Sequence, residues 1–257
     1  SAAALLHFYQ DRRDYHEMTA NGSKVGHPQV QFLLSLAEPG RVYAELGCGG
    51  GVVCAELGKL AHVHGFDLSP IAIESARMRC ADSNVDLTCV DATSVPLPDA
   101  SVDGAYTFEV LEHVWDPVAV VKEMVRITKP GGFVLISAPL AFSLDLHLSK
   151  RSSARICETA IAMMRLMSDW MTQRTHVHMK PCLDREVFPD CDMITSVIPS
   201  NLARVVSRMG CDVEFADTTY MRAHRENSGT DLRFQKKTAH PFYRHFGDHL
   251  LLLARRR

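Results

Sequence analysis

The stretch Glu45-Leu46-Gly47-Cys48-Gly49-Gly50-Gly51 decides how this 257-residue chain is interpreted. It follows an apolar run of strand length at 41–46 and opens a helical pattern at 51–60. Glycines at such a junction let the backbone turn sharply and approach a ligand closely. The sequence therefore predicts a strand, a ligand-binding turn and a helix. A dinucleotide-binding loop of pattern G-x-G-x-x-G is the main alternative, but Val52 stands where its last glycine belongs.

The same alternation of strands and helices continues along the chain. It predicts an α/β fold with parallel strands and helices on both faces of the sheet. After residue 139 this alternation stops. Apolar side chains at helical spacing there predict an inserted helix at 152–171. The predicted strands are 41–46, 61–66, 86–90, 104–108, 132–137, 212–216 and 249–254, and the other predicted helices are 51–60, 70–81, 117–127 and 199–209.

Charge and cysteine usage argue against several classes of protein. With 28 basic and 30 acidic residues the formal net charge is −2, so no long-range field favours nucleic acid or an anionic membrane. The eight cysteines form no C-x-x-C pair and lie among apolar runs, which is typical of reduced intracellular thiols. No apolar stretch approaches the roughly 18 residues of a membrane helix, and no signal-peptide pattern opens the chain. We expect a soluble, cytoplasmic protein that acts on a small molecule.

Two further carboxylates stand where predicted strands end. Asp67 closes the second strand, where a carboxylate can accept hydrogen bonds from both hydroxyls of a ribose. Asp91 closes the third strand and is followed by Ala92. Because the carboxyl ends of parallel strands meet at one edge of a sheet, we expect these carboxylates to lie near the glycine turn. An NAD-binding protein would have the same aspartate after its second strand.

The ordered set of motifs resembles the class I S-adenosylmethionine-dependent methyltransferases, within the broad type 11 group that contains the ubiquinone and menaquinone methyltransferases. The resemblance rests on Glu45 with its G-x-G-x-G turn, on Asp67, on 89–92, and on the runs 97–103, 108–114 and 129–132. It implies a doubly wound seven-stranded sheet, six strands parallel and one antiparallel, with a helical lid inserted after strand five. It also implies a helical cover at 1–40, a cofactor-binding core at 41–139, the lid at 140–198 and the last part of the sheet at 199–257.

The resemblance further implies S-adenosylmethionine as cofactor and S-adenosylhomocysteine as product. In this interpretation Glu45 holds the methionine amino group directly or through water, and Asp67 holds the ribose. Asp91 binds the adenine amino group, and the backbone N–H of Ala92 faces the ring. The expected cofactor-binding residues are Glu45, Gly47, Cys48, Gly49, Gly51, Asp67, Leu68, Asp91, Ala92 and Phe108.

The acceptor is expected beyond the fourth strand, where Glu109, Glu112 and His113 follow Phe108. Their spacing of i, i+3 and i+4 would place them on one face if a helix begins here. Three interpretations stay open: packing and capping at a helix start, a general base through His113, or divalent metal binding, as the similar E-x-x-E-H stretch of some ubiquinone O-methyltransferases implies. The metal is the least favoured of the three.

Other candidate acceptor-side residues lie after residue 139. His178 is a second candidate base, against the alternative that it and His176 are ordinary histidines of an exposed loop. Met164 and Met167 lie on the apolar face of the inserted helix, which either packs in the core or closes over a hydrophobic acceptor. Arg222 and Arg225 belong to a long basic connection at 218–246, which is either solvated or binds a carboxylate or phosphate on the acceptor.

The sequence therefore predicts a methyltransferase acting on a small, aromatic or anionic acceptor, with O-methylation ahead of N- or C-methylation. A nucleic-acid base methyltransferase is disfavoured, because Thr107-Phe108-Glu109-Val110 differs from the Pro-Pro-aromatic motif used on exocyclic base amines. An NAD-dependent oxidoreductase and a non-catalytic cofactor-binding module are the alternatives from other classes. We expect no nucleic-acid or membrane partner, and either a monomer or a homodimer.

Overall fold

A computed structural model of the chain describes residues 25–140, 168, 171–179, 193–219 and 249–257. The first part alternates strands and helices: α1 Pro28–Leu36, β1 Val42–Leu46, α2 Val52–Leu57, β2 His62–Asp67, α3 Pro70–Arg79, β3 Val85–Cys89, β4 Val102–Phe108, a 3₁₀ turn Leu111–His113, α4 Pro117–Ile127 and β5 Thr128–Pro139. The second part contains β6 His176–His178, β7 Thr195–Val197, α5 Pro199–Arg208, β8 Cys211–Thr219 and β9 His249–Arg256.

Seven strands form one sheet in the order β3-β2-β1-β4-β5-β9-β8. Strand β9 runs antiparallel to both of its neighbours, and the pairs from β3 to β5 are all parallel. The prediction of six parallel strands and one antiparallel strand is confirmed. The strand order reverses at β1, which pairs with β2 on one side and β4 on the other. In such sheets a crevice opens at the carboxyl ends of the two strands where the order reverses.

Two apolar clusters cover the two faces of the sheet. Helices α1, α2 and α3 contribute side chains to one cluster, and α4 and α5 contribute to the other. The segment 90–101 between β3 and β4 forms turns rather than a helix. The outer part of the sheet at β2 and β3 therefore has a helix layer on one face, while polar side chains stand on the other.

Several sequence-based boundaries differ from the structure. Strand β5 is predicted to begin at Gly132 but begins at Thr128, directly after α4, and includes the Lys129-Pro130-Gly131-Gly132 stretch. The pairing of β4 with β5 shifts register between Val102 and Gly104, so a bulge accommodates this stretch. Strands β6 and β7 form a separate hairpin where the sequence suggests a loop.

The predicted inserted helix at 152–171 lies almost wholly outside the described residues, as does most of the basic connection at 218–246. The predicted lid and the segment boundaries around it stay predictions. Among the described residues, no helix combines the length and apolar character needed to cross a bilayer.

Candidate active site

The glycine turn after β1 has the backbone shape that the sequence predicts. Gly47, Gly49 and Gly51 all have positive φ angles, of 81°, 50° and 74°. A Cβ atom on Gly47 would collide with Cγ2 of Val110, so only glycine fits there. A Cβ on Gly49 would meet no atom within 4 Å, which leaves that side of the turn open to a ligand. The turn is thus tightly packed at its start and open at its middle.

Asp67 joins the end of β2 to this turn. Its Oδ2 accepts a hydrogen bond from the backbone N–H of Gly49 at 2.8 Å, and its Oδ1 accepts one from the N–H of Ser69 at 2.9 Å. A carboxylate oxygen has a second acceptor position, so both oxygens can also accept from a ligand diol. The structure therefore brings Asp67 to the glycine turn, with Leu68 beside it and 39% exposed.

Asp91 lies at the tip of β3, next to the end of β2. The backbone N–H of Val90 donates to the carbonyl oxygen of Asp67 at 2.9 Å, which sets the two strand ends side by side. The Oδ1 atom of Asp91 accepts from both the N–H and the hydroxyl of Thr93, each at 2.8 Å. Asp91 is exposed and Ala92 is half-buried. The strand ends that carry Glu45, Asp67 and Asp91 thus lie in neighbouring positions of one sheet edge.

Glu45 is buried beneath the turn, with 3% of its surface exposed. Its Oε2 accepts hydrogen bonds from Sγ of Cys54 at 2.9 Å and from the hydroxyl of Tyr106 at 3.2 Å. Burial raises the pKa of Glu45 to about 8, despite these two donors, which act in the opposite direction. The carboxyl group is therefore mostly protonated at neutral pH. Cys54 and Tyr106 are site residues that the sequence analysis does not single out.

No α-helix begins at Glu109, so the condition under which Glu109, Glu112 and His113 would share one helical face is not met. Glu109 directly follows β4 and has a φ of 55°, in the left-handed region, and a single 3₁₀ turn comes next. The backbone N–H of Glu109 donates to the carbonyl oxygen of Ser137 on β5 at 3.0 Å. The carboxylates of Glu109 and Glu112 have different partners.

Glu109 forms a polar cluster with one residue of β5 and one of β9. The hydroxyl of Ser137 donates to Oε1 of Glu109 at 2.9 Å, and Nε2 of His249 lies 3.1 Å from Oε2. Removal from water would raise the pKa of Glu109, but the hydrogen bond and charge of His249, together with Ser137, hold it below its usual value. The carboxylate thus stays ionised beside an imidazole. His249 lies 140 residues away in sequence, so only the folded chain shows this pair.

Glu112 and His113 form a second, less regular pair. Glu112 is 1% exposed, and its Oε1 lies 3.5 Å from Nε2 of His113. The carbonyl oxygen of Glu112 accepts from the N–H of Ile194, which starts the β7 region. The 3₁₀ turn that carries both residues therefore contacts the segment at the start of β7 through its backbone.

His178 lies on strand β6, and its neighbours are aromatic or polar. Its ring centroid is 5.2 Å from that of Trp115 and 5.0 Å from that of His176. Nδ1 of His178 lies 3.5 Å from Oγ1 of Thr195, whose hydroxyl donates to the carbonyl oxygen of Val114 at 2.7 Å. The hairpin thus places the exposed His178 beside the segment that follows the 3₁₀ turn. The remaining candidates, Met164, Met167, Arg222 and Arg225, lie outside the described residues.

Comparison with known proteins agrees with this geometry. Residues 44–136 match the family described as "Methyltransferase domain". That segment contains the glycine turn, Asp67, Asp91 and Glu109.

Two curated proteins are similar to part of this chain. A probable S-adenosylmethionine-dependent methyltransferase from Mycolicibacterium smegmatis is 38% identical over 101 residues, which cover 39% of this chain and 38% of that protein. A ubiquinone biosynthesis O-methyltransferase from Xanthomonas campestris is 33% identical over 118 residues, covering 42% of this chain and 49% of that one. The chain therefore spans less than half the length of either relative.

The fold of a solved S-adenosylmethionine-dependent methyltransferase from Mesorhizobium loti is the same, with a TM-score of 0.57 at 20% identity, covering 90% of this chain and 99% of that one. The methyltransferase domain family implies S-adenosylmethionine as cofactor, and the residues present fit it. Gly49 leaves an open approach to the turn, and both Asp67 oxygens retain acceptor capacity for a ribose. The buried carboxyl of Glu45 lies under the same turn.

Proposed function

We propose that this chain transfers a methyl group from S-adenosylmethionine to an oxygen atom of a small-molecule acceptor. The observation that carries the proposal is the Glu109–His249–Ser137 cluster, which lies where β4 and β5 end and β9 begins. The relative from Xanthomonas campestris is named an O-methyltransferase, which supports oxygen as the reacting atom. N- and C-methylation are the alternatives.

The cofactor would be held by Glu45, Asp67 and Asp91 at three neighbouring strand ends, with Gly49 and Ala92 giving close backbone approach. Bound there, S-adenosylmethionine supplies an electrophilic methyl group, and alignment together with exclusion of water accounts for most of the protein's contribution. Phe108, at the end of β4, would then lie between the cofactor and the acceptor. These assignments follow the family pattern onto residues that occupy one sheet edge.

His249 is the proposed general base, with Glu109 orienting its imidazole. A neutral imidazole beside a carboxylate can take a proton from a hydroxyl acceptor. The ionised Glu109 then stabilises the imidazolium that forms. His113 and His178 are the competing bases, but His113 lies 3.5 Å from its carboxylate partner and His178 lies beside Trp115. Glu109 therefore acts through His249 as a positioning residue.

The acceptor itself is proposed to contact the segments after residue 139. Met164 and Met167 would line an apolar part of the acceptor site, and Arg222 and Arg225 would bind an anionic group on it. Charge reversal at both arginines then raises the KM for the acceptor with little change in the KM for S-adenosylmethionine. An unchanged acceptor KM would remove the arginines from the proposal.

The proposed function is tested by incubating the full chain with S-adenosylmethionine carrying a labelled methyl group and a metabolite extract. Mass spectrometry then identifies the compound and the atom that gain the label. Transfer to oxygen supports the proposal, whereas transfer to nitrogen or carbon would replace O-methylation with one of the alternatives. Tight binding of the cofactor without transfer to any component would indicate a non-catalytic binding module.

The acceptor found in this way then allows the three histidines to be compared. We expect His249→Ala to reduce kcat by about 100-fold or more, the usual contribution of a positioned general base. His113→Ala and His178→Ala should stay within about threefold of the wild type, since neither side chain acts as the base in this proposal. A loss confined to His113→Ala or His178→Ala would transfer the role of base to that residue.

A further inference from the structure

Three potential metal ligands stand together on the outer strands, away from the cofactor turn. His62 and His64 are two residues apart on β2, so their side chains leave the same face of the sheet. Asp86 is the register partner of His64 on β3. The two imidazole centroids are 4.5 Å apart. We call these three residues the edge cluster.

The edge cluster occupies the part of the sheet that no helix of the described residues covers. The turns at 90–101 take the place where a helix between β3 and β4 would cover this face. The side chains of His62, His64 and Asp86 are 32%, 21% and 66% exposed. An ion could therefore reach them from solvent. Along β2, His64 stands about 10 Å and His62 about 17 Å before Asp67, at about 3.3 Å per residue.

The donor atoms are nearly at the spacing that one ion requires. Nε2 of His62 lies 2.9 Å from Oδ2 of Asp86, and Nδ1 of His64 lies 3.6 Å from the same oxygen. One ligand atom from each of the three residues lies within 4.8 Å of the other two. Ligands of a tetrahedral zinc ion, bound at about 2.0–2.1 Å, are separated by about 3.4 Å. Small rotations of the side chains would therefore bring all three donors to one ion.

We propose that His62, His64 and Asp86 bind a divalent transition-metal ion, with Zn²⁺ as its simplest representative. Two imidazoles and one carboxylate suit zinc, nickel or copper better than magnesium or calcium, which prefer all-oxygen ligands. Three protein ligands leave at least one coordination position for water or for a donor from another molecule. Because the ligands come from two neighbouring strands, a bound ion ties β2 to β3 at the edge of the sheet.

The site is tested with zinc chloride and the full chain. Crystals soaked in zinc are measured at the zinc absorption edge, and anomalous density locates the ion. We expect a peak within about 2.0–2.2 Å of a nitrogen of His62, a nitrogen of His64 and an oxygen of Asp86. A peak elsewhere, with none at the edge cluster, would overturn the proposal. This readout separates the edge cluster from the other histidines and from the exposed thiol of Cys89.

Calorimetric titration of variants gives the second test. We expect His62→Ala, His64→Ala and Asp86→Asn each to weaken zinc binding at this site by about 10-fold or more. His176→Ala is the matched control, because the ring of His176 also lies beside that of a second histidine on a short strand. This variant should bind zinc at the edge cluster with the wild-type affinity. Circular dichroism without zinc checks that each variant is folded. Wild-type affinity in the three edge variants would refute the site.

Discussion

Replacing Glu45 with glutamine should change how the stability of the cofactor-free protein depends on pH. The pKa of Glu45 is about 8 in the folded chain, against an ordinary value of 4.5. Below pH 4.5 the carboxyl is protonated in both states, so it imposes no pH-dependent cost. Between pH 4.5 and about 8 the unfolded chain releases this proton and the folded chain keeps it. The free energy of unfolding therefore falls by about 1.4 kcal/mol per pH unit in that interval.

The full effect of the buried carboxyl is about 5 kcal/mol above about pH 8, from the interval between its two pKa values. A glutamine side chain cannot titrate, so the free energy of unfolding of the Glu45→Gln variant lacks this pH-dependent loss. Between about pH 6 and about pH 9 the wild type should lose about 3 kcal/mol relative to the variant. Other titrating groups are common to both proteins and cancel in the difference.

Urea unfolding of both proteins at several pH values from about 6 to about 9 measures this difference directly. Tyr106→Phe supplies a companion test, because Tyr106 donates to Oε2 of Glu45 and favours its ionised form. Removing that hydroxyl should raise the pKa of Glu45 further. The free energy of unfolding should then go on falling to a higher pH than it does in the wild type. Wild-type and Glu45→Gln curves that run parallel over this whole range would refute the reasoning, since Glu45 would then titrate alike in both states.

The remaining predictions concern the turn, the ribose carboxylate and the acceptor edge. Gly47→Ala should destabilise the chain by about 3 kcal/mol, because its Cβ would collide with Val110, whereas Gly131→Ala, also at positive φ but with open space around it, should cost about 1 kcal/mol in urea unfolding. Equal losses of stability in these two variants would contradict the claim that Val110 excludes a side chain at Gly47. Asp67→Ala should weaken S-adenosylmethionine binding by about 100-fold in calorimetry, since it removes the ribose acceptor and releases the N–H of Gly49; unchanged affinity would exclude Asp67 from the site. Ser137→Ala should reduce kcat by less than His249→Ala does, because Ser137 only orients Glu109; a larger loss would reverse their roles.

The sheet was predictable because its strands carry strong local signals. Buried parallel strands read as continuous apolar runs, and β1 and β4 were placed to within two residues of their bounds. Helix α4 has the predicted bounds, since Asp116 caps it by accepting from the N–H groups of Val118 and Ala119, and Pro117 follows at its first position.

The acceptor side was predicted less well because its geometry depends on contacts distant in sequence. A non-glycine residue at positive φ gives no sequence signal, so the direction of Glu109 could not be inferred. His249 reaches Glu109 only because β9 pairs with β5. Strand β7 is positioned by two bonds to a distant segment: the N–H of Ile194, just before it, donates to the carbonyl oxygen of Glu112, and the hydroxyl of Thr195 donates to that of Val114.

The geometry of the edge cluster likewise depends on contacts between residues distant in sequence. The alternation of His62, Val63 and His64 is that of a half-buried strand, and the register that sets Asp86 beside His64 is a property of the folded sheet. Similarly, Glu45 was recognised as a motif residue, but its hydrogen bonds with Cys54 and Tyr106, and hence its raised pKa, depend on packing between β1, α2 and β4.

The central claim is that the strand ends carrying Glu45, Asp67 and Asp91 hold one sulfonium nucleoside. Calorimetric titration of the full chain with S-adenosylhomocysteine and, separately, with NAD⁺ tests it most directly. We expect saturable one-to-one binding of S-adenosylhomocysteine that Asp67→Ala abolishes or strongly weakens, and no binding of NAD⁺. Binding of NAD⁺ in its place, or binding of S-adenosylhomocysteine that is indifferent to Asp67, would contradict the account.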